Sequence, residues 1–233
     1  EDFNPDWTPN TTDSQNKRYR FGNQPDIALW NLVQLGNALY PLIEDIPAME
    51  KILENYNTQF DLQYHQMMKN KLGLEENYDN ILHDELQDVL KLTETDMTIF
   101  YRNLSSVLKT DFAENALEKI TKSFYKPDEI KEKIKDNWIK WLNLYIERLG
   151  REFDLDAIRK EKMNSVNPKY VLRNYMAQLA IDAADRGDYS IINELYIMLK
   201  NPYDEQPNSE KWFAKRPDWA RDKVGCSMLS CSS

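Results

Sequence analysis

Glycine, cysteine and histidine are all scarce in this chain of 233 residues, and each scarcity excludes a kind of site. Six glycines leave no glycine-rich loop that could hold a phosphate group. Two cysteines are too few for a disulfide scaffold, and two histidines offer little for a metal centre. No serine lies in a nucleophile-elbow pattern. Composition and motifs therefore predict no catalytic, cofactor-binding or metal-binding residue.

The chain also lacks a basic surplus and a long apolar run. Its net charge is −9 and its pI is near 4.9, whereas proteins that bind nucleic acid usually need a basic surface to displace counterions. The longest apolar stretches, such as residues 191–199, contain polar residues and are too short to cross a bilayer. We therefore expect neither a nucleic-acid partner nor a membrane partner.

No initiating methionine, signal-peptide pattern or cysteine framework is present. These features favour a processed or partial chain in a reducing compartment or the mitochondrial matrix.

Apolar residues recur at helical spacing almost everywhere, so we predict an all-α chain. Its expected parts are a polar loop over residues 1–24, a helical bundle over 25–200 and an extended tail over 201–233. Proline favours the first turn of a helix, and glycine favours the position just after its end. A first helix is predicted from Pro25 to near Pro41, and a second from Pro47 to Gly73.

Three shorter helices are predicted over residues 78–92, 95–108 and 111–125, of which the last two would be capped by Thr95 and Asp111. The longest predicted helix begins at Pro127. Its apolar stripe is typical of core packing, and a ligand site is the alternative. The stripe consists of Ile130, Ile134, Trp138, Trp141, Leu142, Tyr145, Ile146 and Leu149.

A few polar residues are weak candidates for chemistry. Asp79 and His83 lie one helical turn apart and could hold a metal ion, although no third ligand is near them in sequence. His65 is expected in packing or at the surface. Glu75 and Glu76 follow Gly73 in a polar loop and are expected to be solvated rather than catalytic.

The two cysteines, Cys226 and Cys231, lie in a terminal stretch rich in glycine and serine. Thiols in such a stretch are expected to be exposed and reactive, which favours a redox role on a mobile tail. An internal disulfide is sterically possible, and an accidental placement without a role is the alternative.

Several segments resemble the selenoprotein O family. They are residues 18–32 (RYRFGNQPDIALWNL), 167–188 (NPKYVLRNYMAQLAIDAADRGD), 201–207 (NPYDEQP), 216–220 (RPDWA) and the terminal Cys-Ser-Ser. The resemblance implies a kinase-like fold that transfers AMP from ATP to Ser, Thr or Tyr hydroxyls of proteins. It also implies that the residues binding ATP and Mg precede Glu1. This chain would then be the C-terminal part, with the N-terminal kinase-like part and protein substrates as its partners.

The resemblance also bears on the loop and the tail. The segment that starts at Asp2 resembles the stretch just after the family's metal-binding Asp, where a kinase has its activation segment. Bacterial members tend to have cysteine where this chain has Pro9, so Cys226 and Cys231 would pair with each other or with a cysteine outside this chain. The Thr-Pro-Asn version of the loop and the double-cysteine tail look closer to fungal mitochondrial members than to bacterial ones, which implies a mitochondrial location, or a cytoplasmic one for a bacterial protein.

Two further expectations concern polar residues in the matching segments. The side chains of the first segment are expected to fix the loop to the helix that follows, with pairing of Arg18 to a carboxylate near the active site as the alternative. Arg173 and Asn174 are expected to be buried polar partners. The functional alternative to the enzyme is a redox-sensitive helical interaction domain that acts alone, without nucleotide.

Overall fold

A computed structural model describes residues 2–8, 15–75 and 81–226 of the chain. Within these ranges the regular structure is helical, and β-pairing is limited to two isolated bridges, Asp2 with Asp96 and Thr95 with Phe124. This confirms the all-α prediction for the described residues. The α-helices are α1 (Gln24–Ile43), α2 (Ile46–Leu72), α3 (Ile81–Leu90), α4 (Met97–Leu104), α5 (Ala113–Ile120), α6 (Glu132–Leu149), α7 (Asp156–Val166), α8 (Asn174–Ala184) and α9 (Ser190–Leu199).

The described residues divide into two compact units. The smaller unit contains residues 4–8 and 15–67, and the larger one contains residues 2–3, 68–75 and 81–226. The division falls inside α2, between Met67 and Met68. None of the helices in the described ranges is both long enough and apolar enough to pass through a bilayer.

In the smaller unit, the loop before α1 is fixed to that helix by side chains. The Asn23 amide donates to the Arg18 carbonyl at 2.7 Å, and the Gln24 amide donates to the Tyr19 carbonyl at 2.6 Å. The Arg18 guanidinium lies over the Trp30 ring at 3.8 Å, a cation–π contact. These contacts are the loop-to-helix attachment that the sequence predicted.

The helix α1 ends near Pro41, as predicted, and passes through this proline to Ile43. Proline removes one backbone donor, yet the last turn closes because Glu44 N donates to the Tyr40 carbonyl at 2.9 Å. Glu44 then ends the helix in the left-handed conformation, with φ of 53°.

The tryptophan stripe of α6 is core, as predicted. Trp138, Trp141 and Tyr145 are at most 1% exposed, and the two indole rings meet edge to face at 6.2 Å. Two of these side chains also form hydrogen bonds, since Trp141 Nε1 donates to the Leu82 carbonyl and the Tyr145 hydroxyl donates to the Leu72 carbonyl, both at 2.9 Å. The stripe therefore joins α6 to α2 and α3 as part of the core.

The predicted starts of α4, α5 and α6 differ from the structure. Pro127 begins a short 3-10 helix, and α6 starts only at Glu132 because the chain leaves helical geometry at Ile130, with ψ of 70°. Asp96, not Thr95, caps α4, because its carboxylate accepts from Ile99 N at 3.0 Å while Thr95 bonds back to the Thr93 carbonyl.

The other differences concern the short helices around residue 111. The residue preceding α5 is Phe112, and Asp111 instead accepts from Leu108 N and pairs with Lys119. The helices α4 and α5 are also shorter than predicted, ending at Leu104 and Ile120.

The C-terminal segment, residues 201–226, is folded rather than extended. It contains 3-10 helices at Pro207–Trp212 and Asp218–Ala220. Three of its side chains complete a core cluster with α8 and α9, so the segment is fixed by apolar burial as well as by polar contacts. The cluster consists of Tyr170, Tyr175, Met176, Ala180, Leu195, Met198, Trp212, Ala220 and Cys226.

Gly73 ends α2 as predicted, and it provides the first test of the fold. Its φ is +69°, and an added Cβ would lie 2.7 Å from the Met163 side chain and 2.9 Å from Arg159 Cγ. Gly187 has a similar φ of +79° but open space around it. Urea unfolding should therefore show that Gly187→Ala loses about 1–2 kcal/mol from backbone strain, and that Gly73→Ala loses about 1–3 kcal/mol more from overpacking. Equal losses would contradict the packing at Gly73.

Candidate functional site

A buried ion pair lies at the start of α4. Arg173, directly before α8, pairs with both carboxylate oxygens of Asp96, and its NH2 lies 2.9 Å from Asp96 Oδ1. Both side chains are at most 3% exposed. Because the same carboxylate also caps α4, one residue fixes the helix start and its attachment to α8. Arg173 is thus the buried polar partner that the sequence predicted.

Tyr125 and Glu94 extend this pair outward. The Tyr125 hydroxyl donates to Asp96 Oδ2 at 3.3 Å and accepts from Arg216 N at 3.1 Å. Glu94 Oε1 lies 3.1 Å from Arg216 NH2 and 2.7 Å from Arg221 NH1. The Arg221 guanidinium also lies 5.0 Å from the centre of the Tyr125 ring. The C-terminal segment is therefore joined to the start of α4 by charge.

The N-terminal segment joins the same group of residues. Asp2 forms an antiparallel β-bridge with Asp96, and Asp2 Oδ1 lies 3.8 Å from Arg216 NH2. We call the whole set the Asp96 network, and its carboxylates and guanidinium groups are equal in number. The charges of such a site are satisfied internally, which suits a junction between segments rather than acid–base chemistry. The network consists of Asp2, Glu94, Asp96, Tyr125, Arg173, Arg216 and Arg221.

Cys226, one of the two predicted redox residues, is buried. Its exposed fraction is 3%, and its carbonyl accepts a hydrogen bond from Asn174 Nδ2 at 3.0 Å. Gly225 before it has φ of +87° and lies against Gln178. The expectation of an exposed thiol is therefore wrong for Cys226, because the segment that carries it packs on α8. Cys231 lies outside the described residues, and the redox role stays a prediction.

The two histidines are the other predicted candidates, and the structure describes both. His83 is 7% exposed, its Nε2 lies 3.1 Å from the Gln87 amide nitrogen, and its proposed partner Asp79 lies outside the described residues. His65 is half-buried beside Tyr64. In the part of the chain that the structure describes, no three His, Cys, Asp or Glu side chains group so as to hold a metal ion.

The loop after Gly73 holds a surface ion pair. Glu75 is exposed, as expected, and pairs with Lys162, while Glu76 lies outside the described residues.

Sequence reasoning missed Lys71, whose surroundings are unusual for a lysine. Its Nζ donates to Asn167 Oδ1 at 2.8 Å and lies 4.3 Å from the centre of the Tyr101 ring, while Asn167 Nδ2 donates back to the Lys71 carbonyl at 2.9 Å. Burial lowers the pKa of Lys71 to about 8. No sequence signal marks this residue, because its partners are about 30 and 96 positions away.

Comparison with known proteins identifies relatives over the whole chain. The sequence model of the protein adenylyltransferase SelO family matches residues 1–200. Proteins named protein nucleotidyltransferase YdiU are 63% identical to this chain in Flavobacterium johnsoniae, 47% in Rhodopirellula baltica and 45% in Aromatoleum aromaticum. All of this chain aligns, but it covers only 45%, 46% and 44% of those relatives. The chain thus spans about half of their length.

The lowered pKa of Lys71 predicts a pH dependence of stability. The folded state releases this proton near pH 8, whereas the unfolded state retains it to near 10.5, so the unfolded state binds more protons between these values. The free energy of unfolding of the wild type, relative to that of a Lys71→Met variant, should therefore rise as pH increases from 8 to 10.5. Urea titrations of both proteins measure this difference. A difference that is flat or falls with pH would show that Lys71 is not desolvated.

The burial of Cys226 predicts slow thiol labelling. In a Cys231→Ser background, a maleimide should label Cys226 at least about tenfold more slowly in the native protein than in urea, because access requires local opening. Asn174→Ala should speed native labelling, since it removes the bond to the Cys226 carbonyl. Asn193→Ala, at an exposed position of α9, is the matched control and should have no effect. Equal labelling rates in buffer and urea would contradict the burial.

Proposed function

Because this chain belongs to the SelO family of protein adenylyltransferases, we propose that the complete protein transfers AMP from ATP to hydroxyl side chains of other proteins, with this chain as its C-terminal part. The observation that carries the proposal is the family match over residues 1–200, together with 63% identity to a protein nucleotidyltransferase over the whole chain. The fold alone would not carry it, because one fold serves many activities.

In the proposed reaction, a Ser, Thr or Tyr hydroxyl of the substrate protein attacks the α-phosphorus of ATP. A new P–O bond forms to the hydroxyl oxygen, the bond to the leaving pyrophosphate breaks, and the hydroxyl proton passes to a base. Positioning and electrostatic stabilisation dominate such phosphoryl chemistry, with Mg²⁺ neutralising charge on the phosphates. We place ATP and Mg²⁺ in a kinase-like part that precedes Glu1, and we assign no step to a side chain of this chain.

The proposed role of this chain is to support that part. The helix α1 has an exposed apolar surface: Leu35 is 54% exposed and Leu42 is 83% exposed, while only Ile27 on this helix is buried. Exposed apolar patches of this kind mark interaction sites. Leu32, Leu39 and Ile43 are exposed on the same side of the helix as these two, and the five residues form what we call the α1 face.

We propose that the kinase-like part covers the α1 face. The relatives extend beyond the aligned region by more than half of their length, which provides a covering segment within the same protein. We extend the proposal to a redox-responsive tail that contains Cys226 and Cys231, and to a mitochondrial or, for a bacterial protein, cytoplasmic location. Both extensions rest on the family resemblance.

Labelled ATP tests the proposed activity. The complete protein should transfer label to a protein substrate or to itself from ATP labelled at the α-phosphate, and not from ATP labelled at the γ-phosphate. This chain alone should transfer neither label, because the nucleotide site lies elsewhere in the proposal. Transfer from the γ-phosphate would indicate a kinase, and no transfer by the complete protein would favour a non-enzymatic interaction domain.

A further inference from the structure

Arg216 contacts two carboxylates that belong to distant parts of the chain. Its NH2 lies 3.1 Å from Glu94 Oε1 and 3.8 Å from Asp2 Oδ1, and its side chain is 12% exposed. Because both oxygens contact one nitrogen, they lie within about 7 Å of each other. At such a separation two carboxylates repel each other unless a cation lies between them. Arg216 provides that cation.

The backbone at Asp2 has little freedom while this pairing holds. Asp2 forms its β-bridge with Asp96, which is itself fixed by Arg173 and by the backbone N–H of Ile99. The bridge fixes the backbone of Asp2, and the Arg216 contact fixes its side chain. Loss of the Arg216 charge would remove the cation that lies next to the Asp2 carboxylate. The repulsion between the Asp2 and Glu94 carboxylates would then strain the β-bridge between Asp2 and Asp96.

We propose that Arg216 is a positioning residue for AMP transfer, and that it acts through Asp2. This inference rests on the proposed function, in which the nucleotide-binding part precedes Glu1, and on the resemblance of the segment from Asp2 to the stretch just after the family's metal-binding Asp. When Asp2 is fixed, the C-terminal end of the nucleotide-binding part is fixed as well. Repulsion between Asp2 and Glu94 would shift that end. Placement errors of about 1 Å at a reacting centre are enough to lower rates strongly. The C-terminal segment thereby contributes to the active site without touching substrate.

The network itself offers a matched control. Arg221 also pairs with Glu94, at 2.7 Å, and its other ion-pair partner is Asp218, at 3.1 Å, rather than Asp2. The substitutions Arg216→Gln and Arg221→Gln each remove one positive charge next to Glu94, but only the first removes the cation next to Asp2. A purely structural role for this cluster predicts similar effects of the two changes.

The experiment measures kcat and KM for AMP transfer by the complete protein. Arg216→Gln should lower kcat/KM by about tenfold, mainly through kcat, with a Tm close to that of Arg221→Gln, whose rate should stay within about twofold of the wild type. Arg216→Lys keeps the charge and should retain most of the rate. The double variant Asp2→Asn with Arg216→Gln should regain at least about threefold over Arg216→Gln alone, because the neutral amide removes the repulsion.

Several outcomes would overturn the inference. Equal rates for Arg216→Gln and Arg221→Gln would show that the Asp2 contact has no effect on transfer, and a double variant no faster than Arg216→Gln would show that Arg216 does not act through Asp2. Should Arg216→Gln fail to fold, Asp2→Lys provides the test, since it sets a like charge against Arg216 and should also slow transfer about tenfold. If the wild type shows no AMP transfer, both the proposed function and this inference are wrong. If the wild type is active and the variants have the same rate, only the inference is wrong.

Discussion

The larger unit depends on the buried pair of Asp96 and Arg173. A carboxylate that is removed from water costs several kcal/mol unless it is paired and hydrogen-bonded, and Asp96 meets that condition with a guanidinium, a tyrosine hydroxyl and a backbone N–H. Each partner comes from a different part of the chain. The pair therefore specifies how the start of α4, the start of α8 and the residues around Tyr125 are arranged.

Helical periodicity predicted most of the fold, and the reasons are local. Apolar spacing located α1 to α6 but gave no separate prediction for α7, α8 and α9, Gly73 marked the end of α2 because its left-handed φ suits glycine, and the α6 stripe proved to be core. The errors arose where tertiary contacts determine at which residue a helix begins. Thr95 and Asp96 are both acceptable caps in sequence, and the choice of Asp96 follows from its position at the start of α4 and opposite Arg173. The sequence pattern does not indicate that Asp96 lies opposite Arg173.

The same limit explains why an apolar stripe does not reveal whether it is covered by its own chain. The helices α1 and α6 both carry tryptophan and leucine at helical spacing, yet Trp138 on α6 is fully buried and Trp30 on α1 is 45% exposed. Periodicity predicts an apolar face but not its partner. The candidate site shows a comparable limit, since composition marked Cys226 as part of a mobile tail, whereas the contacts of residues 201–226 with α8 bury it.

The burial of Cys226 changes how a redox tail would act. An oxidant reacts with a thiolate that it can reach, so modification of Cys226 requires that the C-terminal segment first leave α8. The same segment carries Arg216, ten residues earlier, against Asp2 and Glu94. Opening that extends from Cys226 to Arg216 would break the contact with Asp2 as it exposes the thiol. If the proposed redox role and the proposed action of Arg216 both hold, thiol chemistry at the tail would change the placement of the N-terminal segment through this opening.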